Sequence, residues 1–113
     1  MQSASLYKDV KYKKDKPSIT VLFETEKTKE IGIAMRKGQL MKEHKTPFPI
    51  VVEVFDGKID FGVYGKRMVL EKGDLIALEG SVSHDLKAEA DSIIRLTLTN
   101  QDDSQRVRSV TNE

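Results

Sequence analysis

The 113-residue chain contains no cysteine, which removes disulfides, thiolate metal sites and cysteine nucleophiles from consideration. That lack agrees with a cytoplasmic protein. An excess of one charge is missing too: 19 Lys and Arg stand against 18 Asp and Glu, leaving a formal +1, so the balance gives no case for nucleic acid as a partner. Lys8, Lys11, Lys13, Lys14 and Lys16 do gather near the start, but with only Tyr7 and Tyr12 beside them and acidic residues close by they read as a solvated face. No apolar run approaches the length that spans a membrane, and residues 1–16 lack the continuous apolar stretch of a secretion signal. The expectation is one globular domain with neither a membrane nor a nucleic-acid partner.

Helical periodicity is also missing, and period two takes its place. Pro17 precedes Ser18–Glu24, where Ile19, Val21 and Phe23 alternate with Thr20 and Leu22; Glu30–Arg36 follows with Ile31, Ile33 and Met35 on one face. After a turn at Lys37-Gly38 comes Gln39–His44, and then Thr46-Pro47-Phe48-Pro49, where two prolines this close exclude helix. Ile50–Phe55 and Lys58–Tyr64 flank Asp56-Gly57, the dipeptide that most strongly predicts a hairpin. A second hairpin is expected through Tyr64-Gly65-Lys66-Arg67 into Met68–Leu70. Leu75–Leu78, His84–Ala88 and Ser92–Thr99 complete the set. Nine to eleven short strands at even spacing predict an all-β fold whose sheet is closed or sandwiched, since an open sheet would leave aggregation-prone edges. A jelly-roll barrel over residues 17–100 fits best. Residues 1–16 form a segment that docks through Leu6, Val10 and Tyr12, and residues 101–113, with Val107 and Val110 as their apolar members, form a polar tail.

The two histidines of the chain, His44 and His84, each follow a glycine at a defined spacing: five residues separate Gly38 from His44 and ten separate Gly73 from His84. In this register Gly38, His44 and Gly57, followed by Gly73 and His84, resemble the two motifs of the cupin superfamily. Fifteen residues, Lys58–Lys72, lie between the motifs, similar to the short intermotif stretch of compact single-domain members. The resemblance implies a cupin-type double-stranded β-helix with both imidazoles in one cavity. In metal-dependent members two histidines and a glutamate of the first motif, with the histidine of the second, bind a divalent ion. Carried over position by position, only His44 and His84 match: Thr46 stands where the second histidine would be and Ile50 where the glutamate would be. In the second motif Glu79 replaces a proline, Ser81 a glycine and Ala88 an asparagine.

A threonine hydroxyl is a poor ligand and isoleucine supplies none, so the implied cofactor is either absent or a divalent ion held by His44 and His84 with Glu79 or Thr46 completing the shell. Glu43 and Glu53 are expected to face outward, whereas Glu79, in the turn before His84, is a candidate substitute ligand or general base. The expected ligand pocket comprises His44, Thr46, Ile50, Val52, Phe61, His84 and Glu79. Three functions are weighed: a small-molecule binder acting as sensor or carrier, a metal-dependent dioxygenase or isomerase, and a metal-independent sugar-nucleotide epimerase. Adjacent His84 and Asp85 fall on opposite faces of a strand, which argues against a dyad for the last. A homodimer is expected, either through Val51 and Phe55 on the outward side of Ile50–Phe55 or by exchange of Leu6–Tyr12.

Overall fold

The computed structural model describes residues 1–99; the polar tail expected at 101–113 lies outside them. Nine strands are present among the described residues: β1 (Ser18–Glu24), β2 (Thr28–Met35), β3 (Leu40–His44), β4 (Ile50–Asp56), β5 (Lys58–Val63), β6 (Lys66–Glu71), β7 (Leu75–Leu78), β8 (His84–Ala88) and β9 (Ser92–Thr99). They form a five-stranded sheet in the order β1-β2-β9-β4-β7 and a four-stranded sheet in the order β3-β8-β5-β6. Every pairing is antiparallel. Among the described residues no helix is long and apolar enough to cross a membrane.

Alternation decides which side chains meet between the sheets. In β4 Ile50, Val52 and Val54 are buried while Val51, Glu53 and Phe55 are half-buried on the other face; in β5 Ile59 and Phe61 are buried. These inward residues join Ile31, Ile33, Met35, Leu86 and Ile94 in one apolar cluster. Full burial of each such side chain stabilises the fold by about 1.5–3 kcal/mol relative to exposure.

The hairpin expected at Asp56-Gly57 is not one. β4 pairs with β7 and β9, and β5 pairs with β6 and β8, so the two strands lie in different sheets. Their apolar faces oppose each other across the core, which buries both; pairing them edge to edge would leave one sheet face uncovered. Gly57 makes the corner with φ of +98°, and a Cβ there would run into Ser92 Oγ. That hydroxyl is fully buried and ties the corner down, accepting from Lys58 N–H at 3.0 Å and donating to the Ala90 carbonyl at 2.7 Å. The hairpin expected after β5 does form, through the two-residue turn Tyr64-Gly65 with φ of +54° and +69°, while Lys66 and Arg67 already belong to β6. Both positive values suit the right-handed twist of the flanking strands.

Before β1 the chain makes a turn and lays its apolar side chains on the outer face of the five-stranded sheet. Val10 is buried, and Val10 and Leu6 occupy the space that a side chain at Gly32 would fill. The Tyr7 ring meets Phe55 edge-on at 4.8 Å, covering part of the face expected to receive a second copy. Arg36 lies over Tyr12 at 4.3 Å.

Replacing Gly57 with Ala should destabilise the protein by about 2 kcal/mol, because the corner combines a left-handed backbone with direct overlap on Ser92. Urea unfolding followed by circular dichroism measures this; a shift of a few tenths of a kcal/mol would show that the corner relaxes freely.

Candidate functional site

Gly38 and Gly73 share one backbone state, with φ of +92° at each, and each sits in the turn that opens a strand, β3 and β7. Gly38 N–H donates to the Ala88 carbonyl at 2.8 Å and Ala88 N–H to the Gln39 carbonyl at 3.0 Å. This aligns the start of β3 on β8. A register shift between Met41 and His44 then brings His44 directly opposite His84.

Cross-strand partners project from the same face, so the two imidazoles meet, with ring centroids 4.3 Å apart and planes inclined at 58°. The contacts of the two rings follow the same pattern. His44 Nδ1 lies 2.7 Å from the Lys42 carbonyl and His84 Nδ1 3.0 Å from the Val82 carbonyl, each two residues upstream. A carbonyl only accepts, so Nδ1 carries the proton in both rings and Nε2 is left with its lone pair when the ring is neutral. His84 is 3% exposed and stacks on Phe61 at 5.7 Å and 14°; His44 is half-buried.

Solvent reaches the pair from the side of His44. Here β1 and β3, edge strands of the two sheets, leave a cleft of about 300 Å³ lined by Lys16, Pro17, Ile19, Leu40, Met41, Lys42 and His44. Of the expected pocket residues, Ile50, Val52 and Phe61 belong to the closed core, at 3%, 2% and 0% exposure. Thr46 is half-buried and spends its hydroxyl on the Phe48 carbonyl at 3.0 Å, while its own carbonyl accepts from Ser81 N–H at 2.6 Å. Glu79 is exposed in the turn after β7. The structure therefore brings His44 and His84 together and leaves the other expected residues to packing, a loop tie and the surface. The cleft residues from β1 and its approach were missed: alternation shows which face a residue takes, not which strand lies across the gap.

The donor set does not fit a resident metal of the usual kind. No group of three or more His, Asp or Glu side chains capable of holding a metal ion occurs among the described residues, so the pair lacks a third protein ligand. Asp85 does not pair with His84 either. It faces outward, accepting two hydrogen bonds from Arg67 Nη1 at 2.9 and 2.7 Å, while Arg67 Nε donates to Asp60 at 3.0 Å. Burial holds the His84 imidazole below its ordinary range, and the neighbouring His44 lowers it further, against opposite effects of the Val82 carbonyl and Asp85.

No family model matches the sequence, and no curated protein does. Solved structures do. An RmlC-like cupin from Desulfovibrio desulfuricans superposes with a TM-score of 0.80 at 20% identity, covering 88% of this chain and 96% of its own. The chain has the cupin fold. TT1209 from Thermus thermophilus superposes with a TM-score of 0.79 at 18% identity, covering 88% and 98%. A conserved protein with a double-stranded β-helix domain from Klebsiella pneumoniae gives 0.77 at 18%, covering 88% and 89%.

Within the cupin fold one departure from the motif has a visible backbone cost. Ser81, at a glycine position of the second motif, keeps a φ of +65°. Left-handed geometry costs a non-glycine residue about 1–2 kcal/mol, here offset in part by its bond to Thr46.

Because the folded-state value of His84 lies below that of the unfolded chain, the unfolded state binds more protons as pH falls through about 6.5, and stability drops on that side only. The thermal midpoint of the wild type should fall more between about pH 7.5 and about pH 5.5 than that of His84→Gln. Equal slopes in the two proteins would show that His84 protonates without penalty in the fold.

Proposed function

We propose that this cupin-fold protein binds a small organic acid in the cleft between β1 and β3. The observation that carries the reading is His44 itself: its Nδ1 proton is held by Lys42, its ring is backed by buried His84, and it lines an open cleft. Nε2 then accepts a hydrogen bond in the neutral ring and donates one when protonated. Lys16 and Lys42 line the cleft as well, leaving a cation within reach of its mouth, while Pro17, Ile19, Leu40 and Met41 supply apolar wall. Such a cleft suits a ligand with a carboxylate at one end and an apolar body.

His84, itself stacked on Phe61, acts as a positioning residue that backs the His44 ring. This reading needs no covalent step and no metal. A metal-dependent reading draws support from the Nδ1-protonated rings, the form that ligating histidines take, but the missing third ligand weighs against it.

The test is a panel of short aliphatic and aromatic carboxylates, each with its uncharged amide, titrated while the His44 imidazole resonances are followed by NMR. Acids should perturb His44 at lower concentration than their amides, and His44→Gln should weaken the best acid about tenfold, as loss of a hydrogen bond to a charged group implies. Amides that bind as well as acids would defeat the proposal. So would zinc ion binding at about one equivalent with submicromolar affinity, which would return the pair to metal chemistry.

A further inference from the structure

A one-residue bulge in β1 builds a second cavity on the outer face of the five-stranded sheet. In the ladder with β2, Val21 lies opposite Ile31 and Phe23 opposite Glu30, so Leu22 is the inserted residue. Strict alternation would send Phe23 inward with Val21; the bulge turns it outward beside Leu22 instead. Two consecutive apolar side chains thus share the outer face, where Leu6 of the N-terminal segment and Phe55 of β4 join them around a cavity of about 490 Å³. That volume lies within the range of small-molecule sites. None of its lining residues belongs to the cleft at His44.

The polar part of this cavity sets a donor beside an acceptor. Glu30 and Arg95 both line it. Arg95 Nε donates to Glu53 Oε1 at 2.9 Å and its Nη1 to Glu30 Oε1 at 3.2 Å, while the same Glu30 oxygen accepts from the Thr97 hydroxyl at 2.6 Å. These bonds fix both groups and leave Arg95 Nη2 and Glu30 Oε2 without a hydrogen-bond partner among the described residues. The Glu30 side chain is only 12% exposed, so a bond left unmade there is costly. Charge disfavours ions of either sign: an anion would meet the carboxylates of Glu30 and Glu53, and an ammonium the guanidinium of Arg95.

We propose that this cavity binds a neutral, apolar molecule bearing a primary amide or a lactam. The carbonyl of that group accepts from Arg95 Nη2, its N–H donates to Glu30 Oε2, and the apolar body lies against Phe23, Phe55 and Leu6. Primary amides and lactams carry an N–H and a C=O on one side, as two adjacent protein groups require; a trans secondary amide points them apart. The N-terminal segment forms one wall, pinned on either side of Leu6 by Gln2 Nε2 on the Glu24 carbonyl at 2.6 Å and by Tyr7 on Phe55.

Benzamide and caprolactam, each titrated to about 20 mM, should shift the methyl resonances of Leu6 and Leu22 in NMR spectra and leave His44 in place, with dissociation constants of about 1–5 mM. Benzoate, benzylamine and the trans amide N-methylbenzamide should each bind this cavity at least about tenfold more weakly. Ala4→Trp, at an exposed position of the lining, fills the cavity and should abolish the shifts while the circular dichroism spectrum stays unchanged. Glu30→Gln should weaken benzamide at least about fivefold, because the amide nitrogen it turns toward the ligand cannot accept. The proposal is overturned by benzamide shifts centred on His44, by benzoate or benzylamine binding as tightly as benzamide, or by shifts that survive Ala4→Trp. The absence of any shift at Leu6 and Leu22 at about 20 mM would overturn it equally.

Discussion

Close packing between the two sheets governs the rest of the molecule. Phe61, Met35, Ile59, Ile94 and Val54 are fully buried, and the inward residues of both sheets form one cluster. A barrel this small is filled by its own side chains. Chemistry that needs solvent or a ligand is displaced outward, as at the edge where a short β3 faces β1. His84 stays inside that packing, held on Phe61, and His44 stands at its border.

On the outward faces one arginine spans the middle of each sheet. Arg95 of β9 reaches Glu53 on β4 at 2.9 Å and Glu30 on β2 at 3.2 Å. Arg67 of β6 crosses β5 to reach Asp85 on β8, and Gly62, opposite both in the ladders, leaves the room: a Cβ there would collide with Arg67 and Asp85. Ion pairs this exposed to solvent add little to stability. Their greater effect is on register, since a one-residue slip of β9 or β6 would turn its arginine inward and the strand's own core residues outward.

Much of this was legible in the residues themselves. Alternation located the strands within a residue or two, because side-chain period and burial share one cause. The motif resemblance put His44 and His84 in one cavity, and the two rings do meet, because Gly38 sets the turn that fixes where β3 begins to pair with β8. What alternation cannot convey is the identity of a strand's partner. Asp56-Gly57 has the composition of a hairpin, yet the corner it makes leads from one sheet to the other, and only the need to cover both apolar faces distinguishes the two outcomes. Ile50, Val52 and Phe61 were legible as inward-facing but not as closed off, since the volume left inside a barrel depends on all its side chains at once. Ser92 gave no signal at all; a lone serine becomes a buried tie only when a distant corner folds onto it.

The place of β9 in its sheet also constrains when the chain can fold. It is the last of the described strands to join and one of the most central, lying between β2 and β4, with Ile93 and Ile94 buried there. On a ribosome, the first eight strands emerge while the groove between β2 and β4 stands empty, with the inner faces of both strands and the edge of β1 exposed. Only two connections among the described residues are local hairpins, so little native structure can close behind the growing end. Pairing of Ser92–Thr99 on both of its edges is therefore the step that closes the five-stranded sheet, and until then the inner faces of β2 and β4 lack their cover.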